Sequence, residues 1–127
     1  MSNSTLVLID TSSWIENFRK DGLSEVRERV RKIFLTGNAA WCEIIQLELW
    51  NGARGTGERK LLEELEKDVT LLSITPEVWK ESFALASQLR TRGISIPTTD
   101  ILIAACARYH RVPLESCDKH FKLLPEH

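Results

Sequence analysis

Leu6, Val7, Leu8 and Ile9 form an unbroken apolar run that stops abruptly at Asp10. A run this short, with no position left to face water, suits a strand covered on both faces. Asp10, Thr11, Ser12 and Ser13 then offer helix caps before Trp14, Ile15 and Phe18, so the segment reads strand, cap, helix. The pattern returns. Residues 39–42, 69–74 and 113–117 are three further strand candidates. Between them lie segments of helical spacing. An Asp21-Gly22 turn precedes a helix capped by Ser24, with Val26, Val30, Ile33 and Phe34 on one face and an end near Gly37. Residues 43–52 are helical. A glycine-punctuated turn over 54–57 then leads into a helix carrying Leu61, Leu62 and Leu65. Thr75-Pro76-Glu77 starts a helix that leads into Val78, Phe83, Leu85, Ala86 and Leu89 and is closed by Arg92-Gly93. Pro97 to Asp100 opens another, whose segment 101–107 is apolar all round and must run through the interior. Strands alternating with helices of this length predict an α/β fold, a parallel sheet with right-handed crossovers and helices on both faces.

A chain of 127 residues, 43% hydrophobic and 28% charged, is expected to close one core as a single domain over 1–127, with only its ends frayed. The first residues lack a positive leader and Asp10 interrupts the first apolar run, so neither a signal peptide nor a membrane span is expected. Cys42, Cys106 and Cys117 form no C-x-x-C pair; they read as small buried or half-buried hydrophobes in a protein of the reducing cytoplasm. Seventeen basic residues against 18 acidic leave a net charge of −1, which excludes a grip on nucleic acid by bulk charge. Local bases remain, at Arg27, Arg29, Arg31 and Lys32 and, scattered, at Arg54, Arg59, Lys60, Arg90, Arg92, Arg108 and Arg111. Most read as solvated helix faces.

Four acids stand in positions that matter. Ligands of open parallel sheets bind at the carboxyl ends of the strands. Asp10 and Asp118 directly follow strand candidates, Asp100 lies in the first turn of the apolar helix, and Glu48 lies within the helix after the second strand. Taken singly, each aspartate is explained as a helix cap or first-turn acid. Glu48 is harder to dismiss, because Trp41, Ile44, Ile45 and Gly52 share its helical face and a lone carboxylate there is costly to desolvate. Clustered carboxylates repel unless a cation neutralises them. Oxygen ligands without histidine or thiolate partners select Mg2+ or Mn2+ over Zn2+. His110, His120 and His127 have no ligand spacing relative to one another and read as surface or satisfied side chains.

The segments Leu8-Ile-Asp-Thr-Ser-Ser-Trp-Ile15, Glu48-Leu-Trp-Asn-Gly52, Thr99-Asp-Ile-Leu-Ile-Ala-Ala105 and Ser116-Cys-Asp-Lys-His-Phe121 resemble, in order and spacing, the four acidic motifs of PIN domains, and most of all those of VapC-type toxins. The resemblance implies a three-layer α/β/α fold around a parallel sheet of four or five strands. It implies metal ligation and catalysis by Asp10, Glu48, Asp100 and Asp118, with Ser12 and Ser116 as supporting hydroxyls that hold water or a neighbouring carboxylate. The implied activity is that of an endoribonuclease, in which one or two Mg2+ or Mn2+ ions, about 3.5–4 Å apart if paired, activate water for in-line attack on a phosphodiester. A homodimer and a VapB-type antitoxin, its tail in a groove by the active site, are implied as partners. Trp14, Trp50 and the helices carrying Leu61, Leu62, Leu65 and Trp79 are candidates for that apolar surface, or else simply core. One departure concerns the stretch after Phe121, which is too short for the family's usual last strand and leaves that sheet edge in doubt.

Two enzyme alternatives fail on residues. A haloacid-dehalogenase-type phosphatase needs a second acid where this chain has Ser12, and a receiver domain needs an early acidic pair and a late strand-end lysine that are not placed as required. The serious alternative is a catalytically silent PIN-like module that binds RNA or protein; loss of an acid would favour it, and all four acids are present.

Overall fold

The wholly buried Leu8 and Ile9 lie in β1 (Val7–Ile9), at the centre of a four-stranded parallel sheet in the computed structural model, which describes residues 5–125. The expected fraying of the ends, the absence of a leader in the first residues and the surface position of His127 concern, wholly or in large part, residues outside those described. The sheet order is β3-β2-β1-β4, with β2 (Ala39–Trp41), β3 (Thr70–Leu71) and β4 (Leu114–Glu115). Leu8 pairs with Ala40 on one side and Leu114 on the other, and Trp41 pairs with Leu71. The chain leaves β1 for β2 on one side and returns from α6 to β4 on the other, so the switch point of the sheet lies between β1 and β4. Ligand crevices form at such points.

The strands are shorter than the apolar runs that announced them, and two of them stop for a definable reason. After β3, Leu72 N–H still donates to the Trp41 carbonyl at 2.8 Å, but Ile74 N–H is taken by the Glu43 carboxylate at 2.8 Å. The ladder ends there. After β4, the Ser116 hydroxyl accepts Asp118 N–H at 2.9 Å and turns the chain into a 3-10 segment, Lys119–Leu123.

Among the described residues six helices cover the sheet: α1 (Thr11–Phe18), α2 (Ser24–Leu35), α3 (Glu43–Gly52), α4 (Gly55–Asp68), α5 (Pro76–Thr91) and α6 (Thr98–His110). Every residue from Asp100 to Ala107 in α6 is buried, as its composition requires. Thr75 caps α5 as expected, accepting Val78 N–H at 3.2 Å. Ser24 does not cap α2. It is the first helical residue, and Leu23 N–H is satisfied instead by the Glu16 carboxylate at 2.9 Å. Likewise α4 begins at Gly55, inside the expected turn, because Glu58 reaches back to accept Arg54 N–H at 2.7 Å and steadies the start.

Phe83 points outward, 63% exposed, rather than into the core. The buried face of α5 is Val78, Ser82, Leu85 and Leu89, which leaves Trp79 and Phe83, one turn apart, as a tilted aromatic pair on the outer face with centroids 6.2 Å apart. Trp14 is core: it is 1% exposed and packs 5.8 Å from Trp41 and 6.0 Å from Phe18. Trp50 is half-buried. Cys42 and Cys106 are buried, and the neighbouring Cys42 thiol together with burial holds the Cys106 thiol far above its ordinary range. Cys117 departs from expectation in being exposed. No described helix is long and apolar enough to cross a membrane.

Candidate metal centre

Asp10 caps α1 at the carboxyl end of β1, so its capping role and its place at the sheet edge are one geometry. Its backbone N–H donates to the Glu115 carbonyl at 2.9 Å, which ties the end of β1 to β4. The side chain is 3% exposed. Three donors converge on Oδ2: Ser12 N–H at 3.3 Å, the Ser12 hydroxyl at 2.7 Å and the Ser116 hydroxyl at 2.9 Å. The two hydroxyls lie 3.3 Å apart. Among the described residues Oδ1 takes no such bond, so the serines fix the carboxylate by one oxygen and leave the other free to ligate. Hydrogen bonds to a charged acceptor contribute about 1.5–3 kcal/mol each.

Asp100, in the first turn of α6, is 8% exposed. Burial raises its pKa above the ordinary carboxylate range, and the negative charges of Asp118 and then Asp10 raise it further; His120 opposes both. Side chains link the three aspartates: the Ser116 hydroxyl donates to Asp10 and accepts Asp118 N–H, and His120 Nδ1 lies against both Asp118 and Asp100. Asp118 caps the 3-10 segment, its Oδ1 accepting His120 N–H at 2.9 Å. Asp100, Asp118 and His120 each offer a ligand atom within 4.8 Å of the other two.

Glu48 joins this edge differently. It is half-buried, on the face of α3 toward α1, and accepts the Thr11 hydroxyl at 2.5 Å, one residue from Asp10. It also lines a cleft of about 540 Å3 between α1, α3 and α4, beside Arg19, Lys20, Arg54 and Leu61. Glu115 is a further acid at the end of β4, but Arg29 holds it with two bonds of 2.9 and 3.2 Å and Ser13 donates to it at 3.1 Å. Glu115 is thereby neutralised.

Sequence reasoning missed His120 and Thr11. His110 is satisfied by the Ser73 carbonyl at 2.8 Å, as expected of a histidine without ligand spacing. His120 instead places Nδ1 3.0 Å from Asp100 Oδ2 and 2.9 Å from Asp118 Oδ1. Its spacing to an aspartate, two residues after Asp118, was the available signal. The donor set suits a dication: buried or half-buried carboxylates outnumber the single imidazole among them, and carboxylate oxygens prefer hard divalent ions.

The comparisons with known proteins bear on this arrangement. The chain is 29% identical over 123 residues to Ribonuclease VapC11 of Mycobacterium tuberculosis, covering 94% of this chain and 91% of the relative. It is 29% identical over 103 residues to Ribonuclease VapC21 of the same organism, covering 79% and 75%. A crystal structure of VapBC2 from Rickettsia felis bound to a promoter DNA fragment contains a chain of similar fold, with a TM-score of 0.76 at 16% identity over 94% of this chain and 93% of that one. The family model for the PIN domain matches residues 7–126, a span that takes in β1, the six described helices and Asp10, Glu48, Asp100 and Asp118. Because that model matches almost the whole length of the chain, the chain belongs to the PIN-domain family.

Proposed function

We propose that this protein is a metal-dependent endoribonuclease, the toxin of a toxin–antitoxin pair, and that its 127 residues act as one domain in the cytoplasm. The observation that carries the reading is the chain of contacts that joins Asp10 through Ser116 to Asp118 and through His120 to Asp100, with Asp10 and Asp100 buried, at the switch point of a parallel sheet. The VapC ribonucleases to which the chain is similar support the reaction and the RNA substrate. Asp10, Asp100, Asp118 and Glu48 would hold Mg2+ or Mn2+. When bound, a dication supplies positive charge to the phosphodiester transition state and makes water nucleophilic near neutral pH.

The chain's own residues do the rest. Ser12 and Ser116 clamp one oxygen of Asp10, which fixes the direction of the other. The Thr11 hydroxyl orients Glu48. Arg19, Lys20 and Arg54 line the adjoining cleft, where they attract phosphates that the net charge of the whole chain does not. Burial of Asp10 and Asp100 lowers the local dielectric and strengthens every charge interaction made there.

The partners follow the same reading. The solved VapBC complexes that share the fold support a VapB-type antitoxin. Its tail fits the cleft by Glu48, where Ile15 and Leu61 are exposed apolar side chains beside the bases. The exposed Leu47, Trp79 and Phe83 supply apolar surface for a homodimer.

The test is to incubate purified protein with structured RNA in Mn2+ or EDTA, beside Asp10→Asn and Asp100→Asn. Cleavage in metal that is lost on chelation and in both variants supports the proposal. RNA binding without cleavage by the wild type replaces it with the silent binding module.

A further inference from the structure

His120 enters the metal centre through a fixed frame. Its backbone N–H donates to Asp118 Oδ1 at 2.9 Å within the 3-10 turn, and its ring presents Nδ1 to two carboxylates at once. The two contacts, 3.0 Å to Asp100 Oδ2 and 2.9 Å to Asp118 Oδ1, have a geometric meaning beyond hydrogen bonding. Ligand atoms at right angles on an ion with bonds of about 2.1 Å lie about 3.0 Å apart. Both contacts match that separation.

We infer that His120 Nδ1 is a ligand to the ion held by Asp100 and Asp118, and that it tilts this centre toward Mn2+ over Mg2+; the inference rests on the metal-centre reading above. An imidazole nitrogen is a softer donor than a carboxylate oxygen. Mg2+ binds oxygens almost exclusively and keeps its waters, whereas first-row transition ions accept mixed nitrogen and oxygen sets. A lone histidine among three aspartates therefore changes which ion the site prefers without changing the charge of its acids. The alternative, a histidine that only clamps the two carboxylates by hydrogen bonds, is the view this proposal displaces.

The test is electron paramagnetic resonance on the purified full chain, with Mn2+ as the probe and Mg2+ as competitor, for wild type, His120→Gln and Asp118→Asn. Electron spin-echo spectra of wild type with Mn2+ bound show modulation from a coordinated imidazole nitrogen, and His120→Gln abolishes it. In that variant Mn2+ affinity falls about tenfold to a hundredfold while Mg2+ affinity changes less than about threefold. Circular dichroism verifies folding, and the wild-type nitrogen signal needs no variant. Bound Mn2+ that is weakened by Asp118→Asn yet carries no nitrogen modulation overturns the role of His120 and leaves the metal centre standing. Mn2+ that does not bind the wild type, or binds it indifferently to Asp118→Asn, overturns both.

Discussion

Replacing Asp100 with asparagine separates the electrostatic cost of the metal centre from its purpose. The ligand oxygens of Asp100 and Asp118 lie within 4.8 Å of each other. Two unit charges at such a distance interact by roughly 3.5 kcal/mol at an effective dielectric of about 20. Asp118 is 27% exposed and His120 stands between the two, so the net repulsion relieved is nearer to about 1 kcal/mol. The asparagine keeps an oxygen for His120. Without metal, Asp100→Asn should therefore melt at or above wild type, by as much as about 3–5 °C. With a divalent ion at about a hundred times its dissociation constant, wild type gains roughly 2.7 kcal/mol, or about 10 °C, and the variant gains little. The melting temperatures thus exchange order between EDTA and Mn2+ in differential scanning calorimetry. Equal metal-induced shifts in the two proteins, or a variant clearly destabilised in EDTA, would refute the electrostatic reasoning.

The pH dependence of metal-free protein follows from the raised Asp100 pKa, caused first by burial and then by Asp118 and Asp10. Between the ordinary carboxylate value and the raised one the folded chain binds more protons than the unfolded chain. Stability contributed by this group therefore falls as pH rises through that window, and the deficit is complete above the folded pKa. The difference between wild type and Asp100→Asn in urea titrations should grow with pH across the window; a difference that is constant contradicts it. Glu48→Gln keeps a partner for Thr11 while removing a charge, and should slow RNA cleavage by about tenfold to a hundredfold with an unchanged metal-free melt; full activity would remove Glu48 from the site. Ser116→Ala takes a donor from Asp10 and the acceptor of Asp118 N–H, and should lower stability by about 1–3 kcal/mol in chemical denaturation. Ile103→Ala, at a wholly buried position in α6, should cost about 2–5 kcal/mol through the cavity it leaves, with metal binding retained in the folded fraction.

The layers of this fold were legible because apolar runs and helical spacing each answer to one local cause. Leu8, Ile9 and the stretch Ile101 to Ala107 had no alternative to the interior, and they are there. The sequence falls short where a distant or longer-range partner decides. Ser24 has the right chemistry for a cap, yet the helix takes it as its first residue and Leu23 stands at the cap position, its N–H bonded to Glu16. Phe83 is as apolar as Leu85, but the buried face of α5 runs through Val78, Ser82, Leu85 and Leu89 and leaves it outside. The strand ends were likewise set from elsewhere, as when Glu43 takes Ile74 N–H. At the candidate site, the aspartates stood out as acids at strand and helix ends. His120 did not, because the spacing of the histidines carries no trace of its partners, Asp100 and Asp118.

Where a divalent ion sits decides whether this edge of the sheet is a metal centre. Anomalous diffraction from crystals soaked in Mn2+ measures that position directly. The expected map has its strongest peak among Asp10, Asp100 and Asp118, about 2 Å from their carboxylate oxygens, and loses it in crystals of Asp10→Asn. A strongest peak elsewhere on the protein, with this edge of the sheet empty at millimolar Mn2+, would contradict it.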